Sequence, residues 1–265
     1  AVKEQVVTLE AENEKTTKYK FSMPALSHPE EYENMDMRKL DKFLSTITKE
    51  CSVFLCGASV STAVMLRALE PLHRKGVKIN VVYFMPEVEV LSETKALFEH
   101  AVRNILQEYA RSAVFEKITL VSNTVLEEIA GSTNVYEYFN QINQVFTSTY
   151  YMIDVFKNSK PITSTFTRPR ETCRISTIGL GSLEKDDLLF FPFNEESEVV
   201  YYFGINEEKL RSEGNLLRTI TDKVKERIAS GTRVSFGIYP TKYEDDYVYV
   251  EYFSSKIQKI TVDTE

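Results

Sequence analysis

Along this chain the spacing of apolar residues switches between a period near two and a period near three and a half, and each switch marks a new element. Residues 1–18 are polar and mixed in charge, with at best a short strand at 6–9, and 18–23 predicts a second. Pro24 and Pro29 mark a loop, after which Met37, Leu40, Phe43 and Leu44 fall at helical spacing within 34–46. The mostly apolar run 51–56 has the pattern of a strand covered on both faces, and Gly57 ends it. A polar turn over 57–62 leads into a helix at 63–73 closed by Gly76. Residues 77–84 predict a buried strand broken by Pro86, and 92–109 a long helix carrying Leu97, Ala101, Ile105 and Leu106. A third strand from Ile118 runs into a turn at Asn123 and a short helix stopped by Gly131. Strand and helix thus alternate from 51 to 131, which implies a parallel sheet with right-handed crossovers.

Tyr138, Phe139, Ile142, Val145, Phe146, Met152, Ile153 and Phe156 then recur at three and four residues. They predict one helix over 135–156, about 20 residues and roughly 30 Å long, enough to join two parts of a protein. Beyond Pro161 the pattern changes: 174–180, 188–193 and 199–205 read as strands, 210–229 as one helix, and 233–239 with 247–253 as an antiparallel hairpin. The expected organisation is a Rossmann-like α/β domain at 1–132 with its first part incomplete, a connecting helix at 133–160, and a smaller α+β domain at 161–265.

Composition narrows the chemistry. With 265 residues, 43% of them hydrophobic, the chain can bury a sizeable core. A net charge of −7 argues against nucleic acid as a partner, since that affinity rests on cations. Three cysteines without a C-x-x-C pair suggest neither a disulfide framework nor a zinc site, which fits a reducing cytoplasm. No apolar run reaches the roughly 18 residues of a membrane span, and the start of the chain lacks the apolar segment of a signal peptide. His28, His73 and His100 show no metal spacing, so no metal site is expected, and no catalytic triad or Walker motif is visible.

The order of pieces resembles the tubulin and bacterial FtsZ superfamily over about residues 18–257. In that family a strand leads into a phosphate loop and a helix, where this chain has Gly57, Ala58, Ser59, Val60, Ser61 and Thr62. The next strand and its proline match 81–86, and the family's Pro-Asn turn is matched by Ser122 and Asn123. Phe139 and Asn143 keep the spacing of the aromatic and the base-reading residue on the family's central helix. The resemblance extends to the activation domain, through 200–204, the helix around 217–228 and the hairpin at 235–239. It implies GTP or GDP as cofactor, and self-association into a filament or other homo-oligomer, alone or with other assembly proteins. Highly diverged relatives in phages and plasmids extend the expected location from the cytoplasm to a virion.

Departures from the family are equally informative. Its phosphate loop is glycine-rich so that backbone N–H groups can approach phosphate closely; here a single Gly57 remains. The family's opening strand, glycine-rich turn and helix have no counterpart, implying either a fragment or a lost half-site. Paired acids that complete hydrolysis from the next subunit would fall in 161–169, which carries hydroxyls instead, so hydrolysis has no obvious actor.

The candidate ligand residues are Gly57, Ser59, Ser61, Thr62, Glu89, Asn123 and Asn143. Ser59, Ser61 and Thr62 suit a phosphate at a helix N-terminus or, equally, ordinary capping. Asn143 suits a base edge or a solvated helix face, and Asn123 suits a turn better than a ligand. Glu87 and Glu89 fall where the family contacts ribose, yet alternate with Val88 and Val90 as an exposed strand end would. Arg168, Arg170 and Arg174 form a basic group suited to a subunit contact, an acidic partner or plain solvent, and Gly179 with Gly181 reads as a hairpin turn. The five tyrosines from Tyr239 to Tyr252 suit sheet packing or a contact surface. Three functions compete: a nucleotide-binding filament protein, a structural scaffold, viral or otherwise, that kept the fold without nucleotide, and a Rossmann-like enzyme acting on a small molecule.

Overall fold

In the computed structural model, which describes residues 8–10, 20–24, 26, 29–32, 34–59, 61–131, 134–183, 185–229 and 231–260, strand and helix alternate in the expected order. The first part holds β1 (Thr8–Glu10), β2 (Lys20–Ser22), α1 (Arg38–Leu44), β3 (Glu50–Cys56), α2 (Ser61–Arg74), β4 (Lys78–Met85), α3 (Glu93–Arg111), β5 (Lys117–Ser122) and α4 (Asn123–Ala130). Next comes the long helix α5 (Tyr138–Lys157). The second part holds β6 (Thr163–Ser164), β7 (Ile175–Gly181), β8 (Leu188–Leu189), β9 (Glu198–Asn206), α6 (Glu207–Ser212), α7 (Leu216–Ala229), β10 (Arg233–Thr241) and β11 (Tyr247–Ser254).

All strands but β1 and β2, which pair with each other in parallel, lie in one nine-stranded sheet ordered β3-β4-β5-β7-β11-β9-β10-β6, with β8 on β7. The two halves of the sheet meet where β5 and β7 register in parallel at only two positions, Ile118 with Ile175 and Thr119 with Ser176. The Thr119 and Ser176 hydroxyls, 3.0 Å apart, bridge that seam inside the core.

Period-two alternation sorts the strand residues onto two faces. On one face Ile79, Val81, Tyr83, Ile118 and Leu120 pack under the helices of the first part, while Val199, Tyr201, Phe203, Ile205 and Val250 pack under α7. On the opposite face Val82, Val121, Ile178, Val200, Tyr202, Tyr249 and Phe253 share one cluster with Ile142, Phe146, Ile153 and Phe156 of α5. The predicted long helix therefore spans both halves of the sheet, with its apolar stripe laid across the seam. Phe146 meets Phe84 at 4.8 Å near one end, and Phe156 meets Tyr239 at 4.6 Å near the other.

Four local expectations are corrected. Strand β3 is an edge strand with alternating exposure rather than one covered on both faces, and Phe54 is half exposed at the margin of α5. The segment 233–253 is not a simple hairpin: β9 sits between β10 and β11, parallel to the first and antiparallel to the second. Strand β9 is buried along nearly its whole length, which demands a central position, and α7 supplies the crossover to β10. The predicted helix 210–229 is two, α6 and α7, with Glu213, Gly214 and Asn215 between them. Finally, Gly179 and Gly181 lie inside β7, where a Cβ on Gly179 would come within 2.3 Å of the Leu188 carbonyl oxygen of β8. Close backbone approach, not a turn, requires glycine there.

Candidate functional site

Strands β3, β4 and β5 run parallel and end together. Cys56 registers with Phe84, and Met85 with Ser122, so Gly57, Pro86 and Asn123 all emerge at the same carboxyl edge. Ligands of open α/β sheets bind at this edge.

At Gly57 the N–H donates to the Phe84 carbonyl at 2.7 Å. A Cβ here would lie 2.5 Å from the Tyr83 hydroxyl and 2.7 Å from Pro86 Cδ. That hydroxyl cannot give way cheaply, because it donates to buried Glu99, itself paired with Arg103 at 2.9 Å. The left-handed residue of the turn is its neighbour, Ala58, with φ 55°. A Cβ in this region costs about 1–2 kcal/mol, so two adjacent substitutions should act with opposite sign. Ala58→Gly is expected to raise stability by about 1 kcal/mol, and Gly57→Ala to lower it by about 1–3 kcal/mol, read from urea unfolding curves. Equal effects would place the strain elsewhere.

Thr62 is buried at the start of α2, and its hydroxyl donates to the Cys56 carbonyl at 2.8 Å, tying helix to strand. Its N–H donates to the Ser59 carbonyl at 3.0 Å. Ser61 begins α2, with its side chain outside the described residues. Glu89 lies exposed in a single 3-10 turn, Val88–Val90, rather than on a strand end. Asn123 is the first residue of α4, and Ser122 before it supplies the cap, accepting from the Val125 N–H at 3.4 Å.

Asn143 is exposed on α5, and its carbonyl accepts from the Thr147 hydroxyl at 2.7 Å. One turn earlier Phe139 is 70% exposed, an aromatic face with room for a stacking partner. This end of α5 is held by Tyr138, which donates to Glu127 of α4 at 2.8 Å; that bond, with some burial, pushes its phenol up to about 12. The structure thus brings Gly57, Ser59, Thr62 and Asn123 to one sheet edge and sets Asn143 on the helix packed beside it.

Opposite, at the amino-terminal ends of β4 and β5, lies a cavity of about 570 Å³ that the sequence did not announce. Its floor is Glu251, only 2% exposed, which takes Lys117 Nζ at 3.1 Å and Lys157 Nζ at 2.8 Å and accepts from the Tyr202 hydroxyl at 2.7 Å. Burial disfavours the Glu251 charge, yet the two ammonium groups and the Lys157 and Tyr202 hydrogen bonds hold its carboxyl well below the usual range. Burial, then the Glu251 charge, pushes the Tyr202 phenol far up. Its partners lie 49 to 134 positions from Glu251 in the chain, so only the fold assembles them. The one local signal was a glutamate inside the otherwise apolar run 247–253.

The basic group reads differently in three dimensions. Arg168 and Arg174 pair with Glu116 at 3.1 and 3.5 Å, and Arg170 with Glu198 at 2.8 Å. Among the described residues no group of three or more His, Cys, Asp or Glu side chains is placed to hold a metal ion. No helix of the described residues is long and apolar enough to cross a membrane. Burial pushes the Cys51 thiol up to about 11, which makes it a poor nucleophile.

No protein-family model matches the chain, and no curated protein matches it in sequence. Solved structures do match in shape. A helical model of a TubZ-Bt four-stranded filament superposes with a TM-score of 0.68 at 12% identity, covering 89% of this chain and 73% of that one. A GTPγS-form protofilament of Bacillus thuringiensis serovar israelensis TubZ gives 0.66 at 12% identity, covering 95% and 79%. An empty FtsZ dimer from M. jannaschii gives 0.60 at 11% identity, covering 88% and 71%. With a long helix laid across a parallel half-sheet and a mixed one, and these superpositions over most of its length, the chain has a tubulin/FtsZ-like fold.

Proposed function

We propose that this chain is an assembly subunit that joins copies of itself head to tail, the carboxyl edge of β3, β4 and β5 in one copy facing the 161–174 segment of the next. In this reading residues 1–132 form the nucleotide-binding-like part, 133–160 the connector and 161–265 the part that meets the neighbour. The observation that carries it is α5, whose single apolar stripe packs on both halves of the sheet and so fixes the two ends of the molecule relative to each other. A contact between two different ends does not close on itself and propagates into a filament. The TubZ neighbours are filaments and protofilaments by description, which supports the same reading.

A guanine nucleotide at the carboxyl edge is part of the proposal, supported by the GTPγS and GDP forms of the TubZ neighbours and by the exposed pair Phe139 and Asn143. Ser59, Ser61 and Thr62 would meet the phosphates at the start of α2, and Glu89 and Asn123 the sugar side. Hydrolysis is not part of it, since 161–169 holds no carboxylate. A second reading, a scaffold that keeps the fold without nucleotide, is favoured by one observation: the Thr62 hydroxyl is spent on the Cys56 carbonyl.

Sedimentation of the chain with and without GTP separates the two. The first reading expects GTP to lower the concentration at which polymer pellets, and Asn143→Ala to weaken guanine-nucleotide binding about tenfold with an unchanged melting temperature. Polymer formed equally with and without GTP, and no guanine nucleotide recovered from the purified protein, would leave the scaffold. A monomer under all conditions rules out both.

A further inference from the structure

We propose that the cavity at the amino-terminal ends of β4 and β5 binds a small aromatic anion, a planar ring carrying a phosphate or a carboxylate. Charge points to an anion. Two carboxylates lining this cavity each have two cationic partners that also line it, Glu251 with Lys117 and Lys157 and Glu116 with Arg168 and Arg174, and Arg170 adds a further lining cation. Five lining cations thus face three lining carboxylates, Glu116, Glu171 and Glu251, a surplus of two positive charges on a protein whose net charge is −7. An excess of one sign of charge in a cleft raises the local concentration of the ions that answer it.

The floor of the cavity points the same way. Lys117 and Lys157 share the Glu251 carboxylate as their ion-pair partner, with Glu50 and Asp154 as further negative neighbours that act on them through space. Each ammonium has three donors to offer, and an anion above Glu251 would take those that Glu251 does not. Burial and the neighbouring Lys117 hold Lys157 below its ordinary value despite Glu251.

The wall supplies the ring selectivity. Phe166 lies 5.6 Å from Tyr202 and 6.4 Å from Tyr239, and Phe253 sits 5.7 Å below the Lys117 ammonium. A volume of about 570 Å³ is suited to a small molecule. Aromatic faces beside paired cations favour a ligand with a ring at one end and an anionic group at the other. The cavity shares the 161–174 segment with the proposed subunit contact but has no residue of the Gly57 turn in its lining, so its ligand is tested on the unassembled chain.

Calorimetric titration of the chain with phenyl phosphate, inorganic phosphate and phenol, each alone at pH 7, tests the proposal. Phenyl phosphate is expected to saturate one site and to bind at least tenfold tighter than either of the others. Lys157→Gln, which leaves Glu251 paired with Lys117, should weaken it tenfold or more. Phe166→Ala should erase the advantage over inorganic phosphate. Thr62→Val, at the opposite end of the strands, should change nothing, and thermal melting reports whether each variant is folded. The proposal is overturned if phenyl phosphate shows no saturable binding, if a folded Lys157→Gln binds it as tightly as the parent, or if a folded Thr62→Val loses it.

Discussion

Replacing Phe156 by alanine is expected to destabilise the protein by about 3–5 kcal/mol, the largest effect of any single truncation on α5. The ring is buried among Tyr202, Tyr239 and Tyr249 at centroid distances of 6.4, 4.6 and 5.8 Å. The sheet is built to receive it: a Cβ on Gly204 of β9 would lie 2.8 Å from Phe156 Cζ. Alanine would therefore leave a cavity whose walls are rigid strand residues, and such sites collapse poorly. Urea unfolding measures the loss directly. Because Phe156 is the point where the long helix grips the second half of the sheet, a loss under about 1 kcal/mol would mean that α5 does not tie the halves together.

Glu251→Gln is expected to cost about 2–3 kcal/mol at pH 7, because it leaves two ammonium groups beside a neutral amide. The low end of the usual range for a broken buried pair is chosen because Lys157 is 40% exposed and regains water in part. The pH dependence carries the sign. The folded carboxyl is held below its ordinary value of about 4.3, so its contribution is complete above that pH and fades as pH falls through the folded value. The stability gap between the parent and Glu251→Gln should be full at pH 6–8 and shrink steadily below about pH 4. A gap that is flat across this range, or absent at pH 7, contradicts the assignment of Glu251 as the ionised centre of the cluster.

Much of the first half and the whole of α5 were legible because local pattern and tertiary environment agree there. Ile142, Phe146, Ile153 and Phe156 repeat on one face, and that face is the one the sheet covers. Agreement failed where burial is set by strand order, which no local period encodes. β9 reads as one more apolar strand, and only its near-complete burial puts it between β10 and β11. β3 has the same apolar look, yet it lies at the edge, where Phe54 stays half exposed. Glycines were ambiguous for a similar reason: Gly214 does mark a break between helices, while Gly179 answers to the backbone of β8 pressed against it. Gly57, Ser59, Thr62 and Asn123 fall at one sheet edge because they follow parallel strands in register, whereas Asn143 comes from α5. The Lys117, Lys157 and Glu251 cluster was invisible, since its members come from a strand start, a helix end and a mid-strand position far apart in sequence.

Electron microscopy of the chain at rising concentration with GTP tests the central claim, head-to-tail joining of identical subunits, most directly. Polar filaments are expected, with every subunit in the same orientation and the Gly57 turn of one facing the 161–174 segment of the next. Particles that remain single, or that close into dimers related by a twofold axis, would contradict it.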